Sequence, residues 1–236
     1  MKKSELPTQD PSEQYRSAEG LSRRTMLKGL AAVGIAAVPP STSSAETNRD
    51  ELDRRVAESS PTPGTSQSEL DSARMAEVVR FTAETLTTDH PIPFGALIVN
   101  TATGELLQKA VNAVGQENDP SSHAELRTVR LACKKLGSSS LHGYTLYTTC
   151  EPCPMCMADL LWAGIDRVVY GATIEDASRH CLQIHISAAE VVRRSDIKCE
   201  ITGPVERDLA YTTLFTHPNM LKAFELWKQG SQAKQK

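Results

Sequence analysis

The 236-residue sequence contains no run of about eighteen consecutive apolar residues, so no membrane-spanning helix is expected. Aromatic residues make up only 5%, which leaves few platforms on which the bases of a single strand could stack. Basic residues are not in excess: 26 Lys and Arg stand against 29 Asp and Glu. Residues 46–236 carry a net charge of −5, against the basic face expected of a protein that grips a phosphate backbone. There is no internal repeat, which excludes a solenoid. Six cysteines occur, but only one short cluster of them, Cys150, Cys153 and Cys156. A ferredoxin-type run needs a further cysteine where Leu160 stands. What remains has the composition of a water-soluble globular chain, 39% hydrophobic and 23% charged.

The N-terminal residues stand apart. Ser22-Arg23-Arg24-Thr25-Met26-Leu27-Lys28 precedes a soft apolar run from Leu27 to Val38. That run is too short to span a bilayer and suits the apolar region of a signal peptide. Pro39 and Pro40 follow, and Ser43-Ser44-Ala45 offers small residues to a signal peptidase. The arginine pair resembles the twin-arginine export signal. Residues 1–45 are therefore expected to be a leader cleaved after Ala45, delivering the protein through the twin-arginine export machinery to the periplasm or the medium. Residues 46–67 read as a disordered linker, rich in Ser, Thr, Pro, Glu and Asp and nearly without bulky apolar side chains. The folded domain is expected at 68–229, with a flexible tail at 230–236.

Within that domain Ser68-Glu69-Leu70-Asp71 resembles a capping box. It opens a helix carrying Leu70, Met75, Val78, Val79 and Leu86, which ends near His90-Pro91. Phe94 to Val99 and Leu106 to Val114 read as a hairpin around a turn at Thr101 to Gly104. A helix from about Ser121 to Leu136 shows a stripe of Leu126, Val129, Cys133 and Leu136, with Gly137 as its stop. Tyr144 to Thr149 reads as a strand, Pro154 to Ala163 as a helix broken by Gly164, and Val168 to Tyr170 as a further strand. Ile186 to Val192 suits a helix and Cys199 to Thr202 a strand. Met220 to Trp227 places Leu221, Phe224 and Trp227 at helical spacing. Alternating strands and helices imply parallel pairing with helices packed on the sheet.

Two motifs carry the chemistry. His123-Ala124-Glu125 opens the second long helix, and Pro152-Cys153-Pro154-Met155-Cys156 opens the third. Thiolates three residues apart on a first helical turn face the same way, and a helix start favours their negative charge. Pro154 sits where a missing N–H costs little. With His123 as third ligand, one Zn2+ per chain would keep a position open for water, as catalytic zinc does. Glu125 would then serve as proton shuttle. Residues two apart on a regular helix diverge by about 200°, so the spacing alone does not bring Glu125 to the ligands. A lone Cys-x-x-Cys also suits a redox pair, and Cys150 as a fourth ligand would make the metal structural.

Together the motifs match the zinc deaminase signature, His-x-Glu with Pro-Cys-x-x-Cys. Over residues 70–176 the sequence resembles the cytidine/deoxycytidylate deaminase superfamily, on the guanine deaminase and tRNA adenosine deaminase branch. The matching stretches are Pro93-Phe94-Gly95-Ala96, Asn118-Asp119-Pro120-Ser121-Ser122-His123-Ala124-Glu125, and Leu146 through Cys156. The resemblance implies a three-layer α/β/α sandwich with a five-stranded mixed sheet, commonly dimeric. It also implies hydrolysis of an aminated ring with release of ammonia. Glu125 would be catalytic, His123, Cys153 and Cys156 would hold zinc, and Asn112, Phe94 and Trp162 would contact substrate. A purine base or nucleoside of the guanine type is the expected small-molecule substrate. Two alternatives remain open: a nucleic-acid adenosine or cytidine deaminase, and a non-catalytic zinc-stabilised binding module. Guanine deaminases carry a downstream acidic residue where an ungapped continuation places Ile184, with Glu175 and Asp176 nearby. A disulfide between Cys181 and Cys199 is conceivable in an oxidising compartment.

Overall fold

The computed structural model describes residues 65–234, with side chains to 229. The expected leader, nearly all of the linker and the last two residues of the tail lie outside the described residues. Helix α1 runs Gln67–Ala83 and continues as a 3-10 turn, Glu84–Thr87. Its capping box is Ser66 with Glu69, two residues ahead of the expected Ser68 and Asp71. Asp71 cannot cap, because it is buried inside the fold and paired with Arg167.

Strands β1 (Gly95–Asn100) and β2 (Leu106–Val111) form the hairpin. The second strand stops at Val111, not Val114, because Val114–Glu117 turns into a short helix, α2. Helix α3 covers Ala124–Leu136, ending on Gly137 in the left-handed region (φ 64°) that glycine adopts without a Cβ clash. Strand β3 is Tyr144–Cys150, helix α4 Pro154–Trp162 and strand β4 Arg167–Ala172. Short helices α5 (Ile174–Ser178) and α6 (Ala188–Arg193) lead to strand β5, Glu200–Thr202. Helix α7 (Arg207–Ala210) runs into a π-turn, Tyr211–Phe215, and α8 spans Pro218–Lys234, past the expected boundary at Gln229.

The sheet order is β2-β1-β3-β4-β5. β1 pairs antiparallel with β2 and β3, while β3, β4 and β5 pair in parallel, so the five-stranded sheet is mixed. Alternation along the strands sends successive side chains to opposite faces. Leu97, Val99, Tyr147 and Val169 face one core with Met75, Val78 and Val79 of α1 and with Leu214, Phe215, Met220 and Phe224. Ala96, Ile98, Leu146 and Val168 face the other, with Val129 and Ala132 of α3 and Met157, Leu160 and Leu161 of α4. The architecture is therefore helices on both sides of one sheet.

Two expected helix stripes are rotated. On α3 the buried residues are Ala124, Glu125, Thr128, Val129 and Ala132, while Leu136 is 41% exposed. On α8 Met220, Ala223 and Phe224 are buried, and Leu221 lies outward. On α3 small residues let the helix approach β1 and β2 closely, while on α8 Met220 and Phe224 turn toward the 3-10 turn and the π-turn. The conceivable Cys181–Cys199 disulfide is excluded by the sheet: Cys181 packs against the α1-side core and Cys199 against the α4-side core. All six cysteines are free.

Candidate active site

The site lies where α3 and α4 begin. His123 is the N-cap of α3 (φ −68°, ψ 156°) and Cys153 the N-cap of α4 (φ −64°, ψ 165°), both in extended conformation. Ordinarily an N-cap side chain turns back to accept from its own helix. Neither does so here, which leaves imidazole and thiol free to point at each other. The helix expected from Ser121 starts instead at Ala124, and this shift resolves the 200° problem. His123 is not on the helical wheel, so it and Glu125 both reach Cys156. The Cys156 Sγ lies 3.4 Å from His123 Nδ1 and 3.6 Å from Glu125 Oε2.

The stretch before His123 is braced. Asp119 accepts from the backbone N–H and hydroxyl of Ser121, and the buried Ser122 hydroxyl donates to Glu117. Arg127 ties Glu117 to the carbonyl of Val111. Asn118, at φ 51°, takes the left-handed turn that makes this loop tight.

His123, Cys153 and Cys156 bring their ligand atoms within 4.8 Å of one another. The separations are 3.6 Å between the sulfurs and 3.7 and 3.4 Å from each sulfur to Nδ1. A tetrahedral zinc with ordinary bond lengths needs about 3.8 Å between sulfurs and about 3.5 Å from sulfur to nitrogen. The donor set therefore fits zinc in both chemistry and spacing. Cys150 is not part of it: its thiol is turned away to the carbonyl of Thr173, so the fourth-ligand reading fails.

The electrostatics point the same way. The Cys156 thiol hydrogen-bonds Cys153, and this, with the His123 ring, outweighs burial and brings Cys153 down to about 4. Its thiolate is formed at neutral pH. The His123 imidazole is raised, chiefly by Cys153. Burial pushes the Glu125 carboxyl up. One carboxylate oxygen, Oε1, accepts from the Thr148 hydroxyl at 3.2 Å. Thr148 was not singled out from sequence, although a hydroxyl beside Leu146 on a strand's core-facing side was a readable signal. Glu151, buried next to the ligand loop, was also missed.

The expected substrate residues separate into two groups. Phe94 stands at the entry to β1, half-buried between both cores, with Phe215 edge-on at 5.6 Å. The turn that presents it is pinned by Thr149, which donates to Pro93 and accepts from Gly95 N–H. Asn112 follows β2, its backbone N–H bonded to the Phe94 carbonyl and its side-chain oxygen accepting from Val114. Phe94 and Asn112 are thus neighbours. Trp162 lies on another element, α4. It is 81% exposed at the far end of α4 from Cys153, nine residues and about 13 Å along the helix. There it lines a groove of about 730 Å³ with Pro154, Ala158, Ile186 and Val191. Of the nearby acidic residues, Asp176 is buried and held bidentate by Arg207, while Glu175 is exposed, as is the apolar Ile184.

Against known proteins, the cytidine and deoxycytidylate deaminase zinc-binding region matches residues 68–172. Guanine deaminase of Bacillus subtilis is 36% identical over 144 residues, covering 61% of this chain and 84% of that protein. The tRNA-specific adenosine deaminase of Aquifex aeolicus is 41% identical over 81 residues, 34% of this chain and 52% of its own length. The chain therefore spans only about half of that second relative. The structure of guanine deaminase from Nitrosomonas europaea superposes with a TM-score of 0.56 at 24% identity, covering 61% of this chain and 82% of that one. At that identity the likeness concerns the fold.

Proposed function

We propose that this chain, which belongs to the cytidine and deoxycytidylate deaminase family, is a zinc-dependent hydrolase that deaminates a purine base of the guanine type. The observation that carries the reading is one buried carboxylate, Glu125, set 3.6 Å from a cysteine of a three-membered ligand set that fits zinc. Three protein ligands leave a position for water, which distinguishes catalytic from structural zinc. Zinc held there supplies the Lewis acidity that activates water at neutral pH.

The protein's own groups supply the rest. Glu125, kept from bulk water, takes a proton from the attacking water and passes it to the ring nitrogen, then to the departing amine. Water adds at the aminated ring carbon, the C–N bond breaks, ammonia leaves and a carbonyl remains. Thr148 holds Oε1, so that Oε2 faces the reaction. Phe94 and Asn112, adjacent at the sheet edge, are the residues we assign to the flat ring and its polar edge. Trp162 lines the groove beside Pro154, and we assign it there.

The purine reading is favoured over nucleic acid by the 84% coverage of the guanine deaminase relative and by the −5 charge of residues 46–236. The leader motif supports delivery by the twin-arginine machinery to the periplasm or the medium, a route for folded, metal-loaded proteins. The exposed Met155, Trp162, Ile184 and Ile186 support a homodimer. Among the described residues no helix is long and apolar enough to cross a membrane.

The test is ammonia release by purified residues 46–236 from guanine, guanosine, adenine, adenosine, cytosine and cytidine. Guanine or guanosine is expected to react, with loss of activity under a chelator and recovery on adding zinc. A folded, zinc-loaded sample inactive on all six would end the purine reading. Separately, lysines at Arg23 and Arg24 are expected to keep the protein in the cytoplasm; continued export would end the twin-arginine assignment.

A further inference from the structure

Glu151 lies between the last strand residue of β3, Cys150, and the ligand Cys153, yet the chemistry above does not use it. Its side chain is buried, and its two oxygens go to different places. One, Oε1, accepts from the backbone N–H of Ala188 at 2.9 Å, and Oε2 accepts from that of Ile174 at 3.3 Å. Ile174 opens α5 and Ala188 opens α6. A single carboxylate therefore closes both ends of the excursion from residue 174 to residue 188. Its own backbone is fixed too, since Glu151 N–H donates to Ala172 at 2.8 Å, extending the β3–β4 ladder.

The path of that excursion gives the contact a purpose. Near its start, His180 stacks on Phe224 at 4.9 Å and lies 6.0 Å from Phe215, the ring that meets Phe94. Near its end, Ile186 lines the groove shared with Pro154, the residue after Cys153. Between these points the chain passes from the Phe94 side of the ligand loop to the Cys153 side. It has no regular structure there and exposes Leu182 (78%) and Ile184 (57%). A segment that touches both flanks of the ligand loop is placed to form one wall of a pocket for a flat ring.

We propose that Glu151 is a positioning residue, whose carboxylate fastens both ends of the 174–188 excursion to the zinc-ligand loop and so sets the wall beside the bound ring. The fastening follows from coordinates alone; the wall's role in substrate binding rests on the deaminase reading. A carboxylate can accept both bonds. A glutamine retains one acceptor oxygen, and its NH2 group can only donate, so Glu151→Gln releases one end while nearly conserving volume.

The experiment compares zinc-loaded wild type, Glu151→Gln and Glu151→Ala by amide hydrogen exchange, zinc content and steady-state kinetics on guanine. Exchange across 174–188 is expected to rise about tenfold in Glu151→Gln, the scale of one lost charge-assisted hydrogen bond, while α3 exchanges as before. Zinc should stay at one per chain, and KM should rise about tenfold with kcat changed less than about threefold. Unchanged exchange in 174–188 overturns the fastening. Faster exchange with a lower kcat at constant KM, or with loss of zinc, overturns the wall. If Glu151→Ala exchanges fast everywhere, Glu151→Gln alone decides. Should wild type be inactive on guanine, the purine reading falls, and the fastening stands or falls on the exchange result.

Discussion

Each face of the sheet buries a polar cluster, and only one of the two is balanced. On the α1 side, Arg167 donates to both oxygens of Asp71 at 2.7 Å, and the Tyr147 hydroxyl donates to Asp71 at 2.8 Å. Arg167 also reaches Glu200 and Thr202. Charges cancel and the acceptors of Asp71 are used. On the α4 side, a carboxylate, a thiolate and a second thiol crowd around a single imidazole. Glu125 receives neutral hydrogen bonds from its own backbone N–H and from the Thr148 hydroxyl. A buried charge is tolerated when paired or when it meets a metal. The first cluster needs nothing more and is structural. The second brings an imidazole nitrogen and two sulfurs to one point, and a divalent cation is what that geometry accommodates.

The sharpest break in that comparison is at Glu125. Glu125→Gln is expected to lower kcat by about 1000-fold or more, the scale of a lost general acid–base group, with zinc still bound at one per chain. Activity within tenfold of wild type would remove the proton-shuttle role. The opposite cluster should respond in stability alone. Arg167→Met leaves Asp71 buried without its partner and is expected to cost about 3–5 kcal/mol in denaturant unfolding. Adding Asp71→Leu should recover much of that loss, because an uncharged pair no longer strands a carboxylate. If the double variant is worse than the single, the cluster is not a balanced ion pair.

Gly95 is intermediate. A Cβ there would stand 1.9 Å from Thr82 Oγ1, which is held by its bond to the Val78 carbonyl at 2.7 Å. Gly95→Ala is expected to cost about 1–3 kcal/mol and to raise KM, because the shift falls beside Phe94. An unchanged melting temperature would show that α1 gives way easily. Thr148→Val should have the mildest effect on catalysis, about 3- to 10-fold in kcat, as one hydrogen bond to Glu125 is lost.

Acid sharpens the contrast further. Burial works to raise the Asp71 carboxyl, but the bonds from Arg167, Tyr147 and Gln67 outweigh it and hold it below its ordinary range. A depressed carboxyl stabilises the fold fully above its unfolded value of about 3.9, and that contribution is lost as pH falls through the folded value. Stability should therefore drop below about pH 4 in the wild type, and less steeply in the Asp71→Leu, Arg167→Met double variant. Equal acid slopes in the two proteins would assign acid sensitivity elsewhere.

Legibility in the sequence followed how local each signal was. The hairpin, the helix stop at Gly137, and the ligands Cys153 and Cys156 were readable because each depends on neighbours a few residues away. Helix faces were less so. Leu136 and Leu221 fit the period yet face outward, since the sheet accepts the small Ala132 and the π-turn takes Met220 and Phe224 instead. Asp71 looked like a cap, and only Arg167, 96 residues on, makes it a buried partner. Trp162 was readable as a family position, while its 81% exposure at the end of α4 was set by the fold.

By itself the sequence determined the three residues that can hold zinc, the motif carboxylate beside them and the alternation of strands and helices, because those are written in residue types at short, fixed spacings. The tertiary structure alone decided that His123 sits outside its helix, that Glu125 therefore reaches the Cys156 sulfur, and that one carboxylate at Glu151 closes the excursion from residue 174 to residue 188. Those facts depend on where two helices and a sheet edge meet, and such meetings are set by packing among residues far apart in the chain.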